Sequence, residues 1–240
     1  MKPYTYLLIN FLTIVVCFIF SFHPKIRFDK YFGAFIKTSV MVAMPFLIWD
    51  AWFTHAGVWW FSKEYTVGIN LVGMPVEEWL FFICIPFSCV FTYFCLIKFF
   101  DLGWVERYTK LIVFMVLAIS IAVLFAFYGR MYTTLTAVVT IVAIVYLYFI
   151  ARYGSLGRST LIYLILMFGF IPVNGTLTGT GLESPVVNYN PDEIIGLRIL
   201  TIPIEDFAYG YVLFLMNVYI FEFITKSSVS PETINANVVD

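Results

Sequence analysis

Charged residues are scarce in this chain. Only 12% of its 240 residues are Asp, Glu, Lys or Arg, against roughly 25% in an ordinary soluble domain. In contrast, 62% are hydrophobic, and the mean hydropathy is +0.93. This composition excludes a typical soluble domain and predicts a protein of the lipid bilayer. The net charge of −1 leaves no basic surface for a nucleic-acid partner.

Cysteine and histidine are also few. The four cysteines lack C-x-x-C spacing and lie inside apolar segments, which favours core packing over disulfides or metal binding. The two histidines, His23 and His55, flank opposite helix ends and cannot share a site. No G-x-G-x-x-G motif follows a strand, and the short GTG at 179–181 lies in a loop. We therefore expect no metal, no flavin and no other cofactor.

Long apolar runs are abundant. A helix needs about 20 mostly apolar residues to cross the hydrocarbon core, and hydropathy gives seven such runs. They cover residues 4–22, 32–54, 75–97, 109–128, 132–151, 159–173 and 203–223. Segments such as 111–127 are apolar on every face, whereas barrel strands would alternate polar and apolar residues. The sequence predicts an all-α polytopic membrane protein with seven transmembrane helices.

Basic residues mark one side of the membrane. They follow the first, third, fifth and seventh runs, whereas the opposite connections carry mostly acids. The basic residues are Lys25, Arg27, Lys30, Lys37, Lys98, Arg107, Lys110, Arg152, Arg158 and Lys226. The positive-inside rule then places the N-terminus outside and the C-terminus in the cytoplasm, with the cell (inner) membrane as the predicted location. The first run lacks a small-residue cleavage site and is interpreted as a retained helix.

An internal repeat organises the chain. The segment GINLVGMPVEEW (68–79) aligns without gaps to GLRILTIPIEDF (196–207), and the same offset of 128 residues maps Tyr4 onto Tyr132. The repeat unit is three helices long. Because one helix separates the copies, both cross the membrane in the same direction, as parallel repeats. The predicted divisions are a first three-helix repeat (1–100), a linker helix (101–130), a second three-helix repeat (131–224) and a disordered polar tail (225–240).

The repeat places carboxylates at equal depth. Glu77 and Glu78 begin the third helix, Glu205 and Asp206 begin the seventh, and Asp50 lies near the same end of the second. Acids after a proline are ordinary helix-start chemistry. Two copies entering apolar helices favour function, because ionisable groups in such segments are costly. Neighbouring helical residues point about 100° apart, so one acid of each pair is expected to face a substrate while the other supports it.

Acids in an aromatic, apolar cavity suit one kind of chemistry. A carboxyl group kept neutral by desolvation donates a proton, and an ionised neighbour accepts one. Protonation of a carbon–carbon double bond gives a carbocation that water would quench and that aromatic faces stabilise. Aromatic residues make up 20% of the chain, so material for such walls is present.

The duplicated PVEEW and PIEDF, with IWDAWF and the GVWWF loop upstream, resemble the membrane-integral lycopene cyclase family, which occurs as two small subunits or as one fused chain. The chain is also similar to the cyclase portion of fungal bifunctional cyclase and phytoene synthase proteins. The resemblance covers nearly the whole chain except the tail. It implies conversion of the linear ψ ends of lycopene into β-ionone rings without net redox change. An acid protonates the terminal double bond, the internal double bond attacks the cation, and a base removes a ring proton.

The resemblance also implies site residues and partners. The implied catalytic residues are Glu77, Glu78, Glu205, Asp206 and Asp50. Asn174, in IPVNGTLTG, stands in the second copy in place of Asp50, so one copy is expected to supply more of the chemistry. The residues expected to bind substrate are Pro75, Pro203, Phe81, Phe82, Trp49, Trp79, Phe207, Tyr209 and Asn174. The expected partners are lycopene and the lipid bilayer, with other carotenoid-biosynthesis enzymes as candidates.

Two other classes of membrane protein require residues that this chain lacks at the matching positions. A retinal protein needs a lysine midway along the seventh helix, but Lys226 lies beyond its end. Prenyl-protein proteases carry E-E-x-x-x-R, and Phe82 occupies the arginine position. Three alternatives stay open: a cyclase that forms γ or ε rings or uses C50 chains, a proton-coupled transporter, and a non-catalytic carotenoid-binding protein.

Overall fold

The computed structural model describes residues 2–228, which form seven long helices and three two-stranded sheets. The helices are α1 (Thr5–Ser21), α2 (Phe32–Ala56), α3 (Val76–Phe99), α4 (Thr109–Ala126), α5 (Met131–Val145), α6 (Leu156–Leu177) and α7 (Ile204–Ser228). One turn of π-helix, Tyr146–Ile150, continues α5. Seven helical spans are long and apolar enough to cross a membrane. The predicted all-α polytopic fold is confirmed.

Two helices extend past their predicted boundaries. α6 has 22 residues, although hydropathy predicted only 159–173. At its polar ends, the hydroxyls of Thr160 and Thr176 bond to carbonyls one turn earlier, at 2.9 and 2.8 Å, so these polar groups have partners within the helix. α7 continues to Ser228 and so includes the start of the predicted tail. The rest of that tail, 229–240, lies outside the described residues.

The last helix of each repeat lies at the centre of the bundle. α1 packs along α3, whereas α2 and α5 both pack against α7, and α3 and α7 contact each other. Half of the α7 span is buried, compared with 11% of the α4 span. The linker helix α4 therefore lies at the periphery, against α5. The two repeats meet where α3 contacts α7.

Aromatic side chains fill the interior in two clusters. One surrounds Phe28, whose ring centroid lies 5.2 Å from that of Phe94. The other lies beside the starts of α3 and α7, where the Trp49 and Tyr209 centroids are 5.0 Å apart. Edge-to-face packing of this kind adds stability beyond the area buried. The second cluster surrounds the end of the bundle that carries the duplicated acids.

Three short antiparallel sheets lie in the connections around that end. They pair β1 (Trp59–Phe61) with β4 (Val187–Tyr189), β2 (Asn70–Leu71) with β3 (Met74–Pro75), and β5 (Arg198–Ile199) with β6 (Ile202–Pro203). The β1–β4 sheet joins the two repeats, because β1 precedes α3 and β4 precedes α7. The other two sheets are hairpins within each repeat.

The two hairpins are equivalent structures. Asn70 pairs with Pro75 in the first, and Arg198 pairs with Pro203 in the second, so the register is preserved at the 128-residue offset. Each proline is the last strand residue, and the helix begins at the next position. Proline fixes φ near the helical value and lacks the N–H that a helix start leaves unpaired. The first-turn acids of α3 and α7 are thereby positioned in the same way.

Candidate active site

A cavity of about 360 Å³ lies between α1, α3, α6 and α7 and reaches the starts of α3 and α7. The β1–β4 sheet lines its end, through residues that include Trp59 and Tyr189. Three carboxyl side chains also line it: Asp50 from α2, Glu78 from α3 and Asp206 from α7. The fold thus brings acids from both repeats to one apolar space.

Glu78 and Asp50 form a buried carboxyl pair. The two residues are only 7% and 3% exposed, and their carboxyl groups lie within hydrogen-bonding range of each other. Tyr6 donates a further hydrogen bond to Glu78 Oε2 over 2.5 Å. The buried Asp50 Oδ2 receives no N–H or O–H from residues 2–228. Two ionised carboxylates in contact repel each other, whereas one shared proton makes the contact a hydrogen bond.

Asp206 lies in a different environment. Tyr132 donates to its Oδ1 over 2.7 Å. Its Oδ2 accepts from Asn174 Nδ2 over 2.7 Å and from the Tyr189 hydroxyl over 2.8 Å. Burial, reinforced by the Asp206 carboxylate, raises the pKa of the Tyr189 phenol well above its usual range, so this hydroxyl remains a donor. Three neutral donors favour the ionised form of a carboxylate.

The first acid of each pair holds the connection before its hairpin. Glu77 Oε1 accepts the backbone N–H of Val67, and Glu205 Oε1 accepts that of Ile195, both over 2.6 Å and both ten residues earlier in the chain. Thr133 donates a second hydrogen bond to Glu205, also 2.6 Å long. Both glutamates are buried but lie outside the cavity lining. The 100° step between helical neighbours separates these supporting acids from the cavity acids.

The tyrosine contacts of the two repeats correspond after a small shift. Tyr6 bonds to Glu78, 72 residues later, as Tyr132 bonds to Asp206, 74 residues later. The counterpart of Tyr132 is therefore Tyr6, and the mapping onto Tyr4, which is 61% exposed, is wrong. The ungapped offset misplaces it because the second copy has two more residues between tyrosine and acid.

Comparison with protein families agrees with this duplicated site. A family model described as lycopene cyclase matches residues 3–96 and 129–224. The chain belongs to the lycopene cyclase family. The two matches coincide with the three-helix repeats and leave α4 between them. Comparison with curated proteins and with solved structures gave no match. Membership of the lycopene cyclase family makes the protein a carotenoid cyclase enzyme.

Three of the predicted substrate contacts line the cyclase cavity: Phe81, Tyr209 and Asn174. The Tyr209 ring lies at the centre of the aromatic cluster, with centroids 5.0 Å from Trp49 and 5.2 Å from Phe46. Asn174 lies beside Asp206 as Asp50 lies beside Glu78, so the sequence counterparts also occupy equivalent positions. Glu78 therefore has a carboxyl group as its neighbour, whereas Asp206 has an amide that donates a hydrogen bond.

The other six predicted contacts lie outside the cavity lining: Pro75, Pro203, Phe82, Trp49, Trp79 and Phe207. Trp49 and Phe82 pack behind the lining in the aromatic cluster. Trp79 donates its indole N–H to the Leu71 carbonyl over 3.3 Å and so braces the first hairpin. Pro75 and Pro203 end the hairpin strands. These residues support the cavity walls and the helix starts. They do not line the cavity, because neighbouring residues of a helix point in different directions.

Sequence reasoning did not assign the three tyrosines that bond to the cavity acids, Tyr6, Tyr132 and Tyr189. Tyr6 and Tyr132 stand near the starts of α1 and α5, and a search for hydroxyls at helix starts facing the duplicated acids could have found them. Tyr189 reaches Asp206 only because β4 pairs with β1, which places Tyr189 opposite Trp59. The loop sequence gives no periodic signal for that pairing.

Proposed function

We propose that this carotenoid cyclase is a lycopene β-cyclase that converts linear ψ end groups to β-ionone rings by acid–base chemistry, without net redox change. The observation that carries the proposal is the arrangement of three buried carboxyls in one cavity. Two of them, Asp50 and Glu78, are in contact, while Asp206 accepts three hydrogen bonds. The pair is the proton donor, and Asp206 is the acceptor.

The first step is protonation of the terminal double bond. The proton shared by Asp50 and Glu78 moves to the inner CH carbon of that bond, and the π electrons form the new C–H bond, which leaves a tertiary cation on the outer, dimethyl carbon. The Tyr6 hydroxyl donates to Glu78 and stabilises the negative charge left on the pair. A positioned acid of this kind typically contributes about 10²–10⁴-fold to a rate.

Ring closure follows within the cavity. The internal double bond of the end group attacks the cation, forms the new carbon–carbon bond and moves the positive charge onto the ring. Aromatic faces such as those of Tyr209, Phe81 and Trp59 line the space and stabilise a cation. The scarcity of water in such a lining limits the competing addition of water.

Loss of a ring proton completes the reaction. Asp206 takes the proton from the ring carbon that carries the polyene chain, next to the cation, and the C–H electrons form the β-ring double bond. One proton has been added and one removed, so substrate and product are isomers. Proton return from Asp206 to the Asp50–Glu78 pair restores the starting state.

The setting of the site is also proposed. The basic residues cluster in the connections at the other end of the bundle, so the positive-inside rule places the acid end outside, with the N-terminus outside and the C-terminus in the cytoplasm. The expected partners are lycopene, the surrounding bilayer and other enzymes of carotenoid biosynthesis.

The test is expression in a host that accumulates lycopene, followed by chromatography of the pigments. The wild-type chain is expected to form β-ring products. Membranes that contain the chain, incubated with unlabelled lycopene in deuterated water, are expected to place one deuterium on each new ring. Glu78→Gln is expected to abolish cyclisation. The matched control is Glu183→Gln, because Glu183 pairs with Lys2 at the surface. Unchanged lycopene with the wild-type chain, or full activity of Glu78→Gln, refutes the assignment.

A further inference from the structure

The cavity extends well below the acids. Its lining continues along α3 from Glu78 to Thr92 and along α7 from Asp206 to Asn217. The positions differ by 14 residues on α3 and by 11 on α7, which corresponds to about 21 and 16 Å along the two helix axes. The cavity is therefore a slot that begins at the acids and runs toward the middle of the bundle.

The side of this slot formed by α1 and α6 has few contacts between the two helices. α1 and α6 meet near the acid end through Tyr6 and Leu177, which share a small buried cluster. Further down, the lining comes from Thr13 of α1 and Gly169 of α6. Thr13 lies seven residues from Tyr6, and Gly169 lies eight residues from Leu177, so both are about 10–12 Å below the acid end.

Gly169 is both exposed and part of the cavity lining. A Cβ placed on it would meet nothing within 4 Å. The neighbouring Phe168 is 87% exposed, so this face of α6 contacts lipid. A residue that is open to the surroundings on one side and to the cavity on the other marks an opening in the wall.

We infer that this gap between α1 and α6 is a lateral portal for the polyene chain of the substrate. The inference rests on the proposed function. A linear C40 polyene is about as long as the ~30 Å hydrocarbon core, whereas the slot is only about 16 to 21 Å deep. While one end group occupies the acid site, the rest of the chain passes over Gly169 into the bilayer.

The chemistry of the portal suits an unsaturated hydrocarbon. On the α6 side, Leu166, Gly169 and Val173 follow a helical spacing of three and four residues and all line the cavity. Pro172 lies inside α6 and leaves the Phe168 carbonyl without its helical donor, which allows local bending. The stripe offers apolar contact, and the absent side chain of Gly169 leaves the passage open.

The test uses polyene binding, so that access is separated from turnover. The acid-deficient chain, Glu78→Gln with Asp206→Asn, is expressed in a lycopene-accumulating host and purified in detergent. Retained lycopene is measured by its visible absorption per mole of protein. Adding Gly169→Trp is expected to lower retention by about tenfold or more, with Gly169→Ala and Gly169→Leu in between. Phe168→Trp, on the adjacent lipid-facing position, is the matched control and is expected to leave retention unchanged.

The outcomes distinguish the portal from the reaction. Equal retention in the Gly169→Trp and Phe168→Trp chains overturns the portal. Cyclised pigment from the acid-deficient chain overturns the proposed function and leaves the binding comparison intact. If Gly169→Trp does not yield folded protein, judged by size-exclusion chromatography, Leu166→Trp narrows the same passage from one turn away. Unchanged retention in that variant also overturns the portal.

Discussion

Replacing Asp50 by asparagine tests how the proton is held. In the proposed mechanism, the buried carboxyl groups of Asp50 and Glu78 share one proton, because two ionised carboxylates side by side would repel each other. An amide at this position would donate an N–H to Glu78, as Asn174 donates to Asp206 in the other repeat. Glu78 would then be a stably ionised carboxylate with no transferable proton. The variant makes the first repeat resemble the second.

The expected loss can be estimated from the geometry. Two full charges about 4 Å apart repel by about 4 kcal/mol at an effective dielectric constant of about 20. This repulsion corresponds to a roughly 10³-fold preference for keeping one proton on the pair. The amide removes that preference. We expect Asp50→Asn to lower the cyclisation rate by about 10³-fold, within the ~10²–10⁴-fold range for loss of a positioned acid.

The assay is conversion of lycopene by purified enzyme in liposomes, followed over time by chromatography. Asp192→Asn, at an exposed position outside the cavity lining, is the matched control and is expected to retain the wild-type rate. The opposite change, Asn174→Asp, puts a second carboxyl beside Asp206 and is expected to slow ring-proton removal because Asp206 then shares a proton. A wild-type rate in Asp50→Asn shows that the pair is not the acid and refutes the reasoning.

Three further predictions follow from the other contacts. Tyr189→Phe removes one of the donors to Asp206 and is expected to slow cyclisation by about ten- to hundredfold, since a hydrogen bond to a charged group contributes ~1.5–3 kcal/mol. Unchanged kinetics in the liposome assay would contradict the role given to this hydroxyl. Glu77→Gln is expected to lower the melting temperature in detergent, because Glu77 accepts a backbone N–H outside the cavity. The variant is expected to keep more cyclase activity than Glu78→Gln. Equal losses of activity would show that Glu77 takes part in the reaction. Lys2→Cys in a chain without native cysteines is expected to react with an impermeant maleimide on intact spheroplasts; labelling only after lysis would reverse the proposed orientation.

The sequence predicts the helices better than it predicts which side chains face the cavity. Hydropathy finds all seven spans because each must bury about 20 apolar residues in lipid. It cannot say whether Glu77 or Glu78 enters the cavity, because the rotation of α3 depends on its packing against α1 and α7. The repeat motif finds the acids at their common depth. It misses Tyr6 because the ungapped offset ignores two extra residues, and it misses Tyr189 because the β1–β4 pairing is long-range.

The β1–β4 sheet makes the active site depend on both repeats. One strand belongs to each half of the chain, and Trp59 and Tyr189 face each other across the join. Each half alone would lack one strand of the sheet that lines the end of the cavity, and it would carry only some of the cavity's carboxyl groups. If the polypeptide were cut within α4, neither fragment should cyclise lycopene by itself, and cyclised product should form only when both fragments are produced in the same membrane.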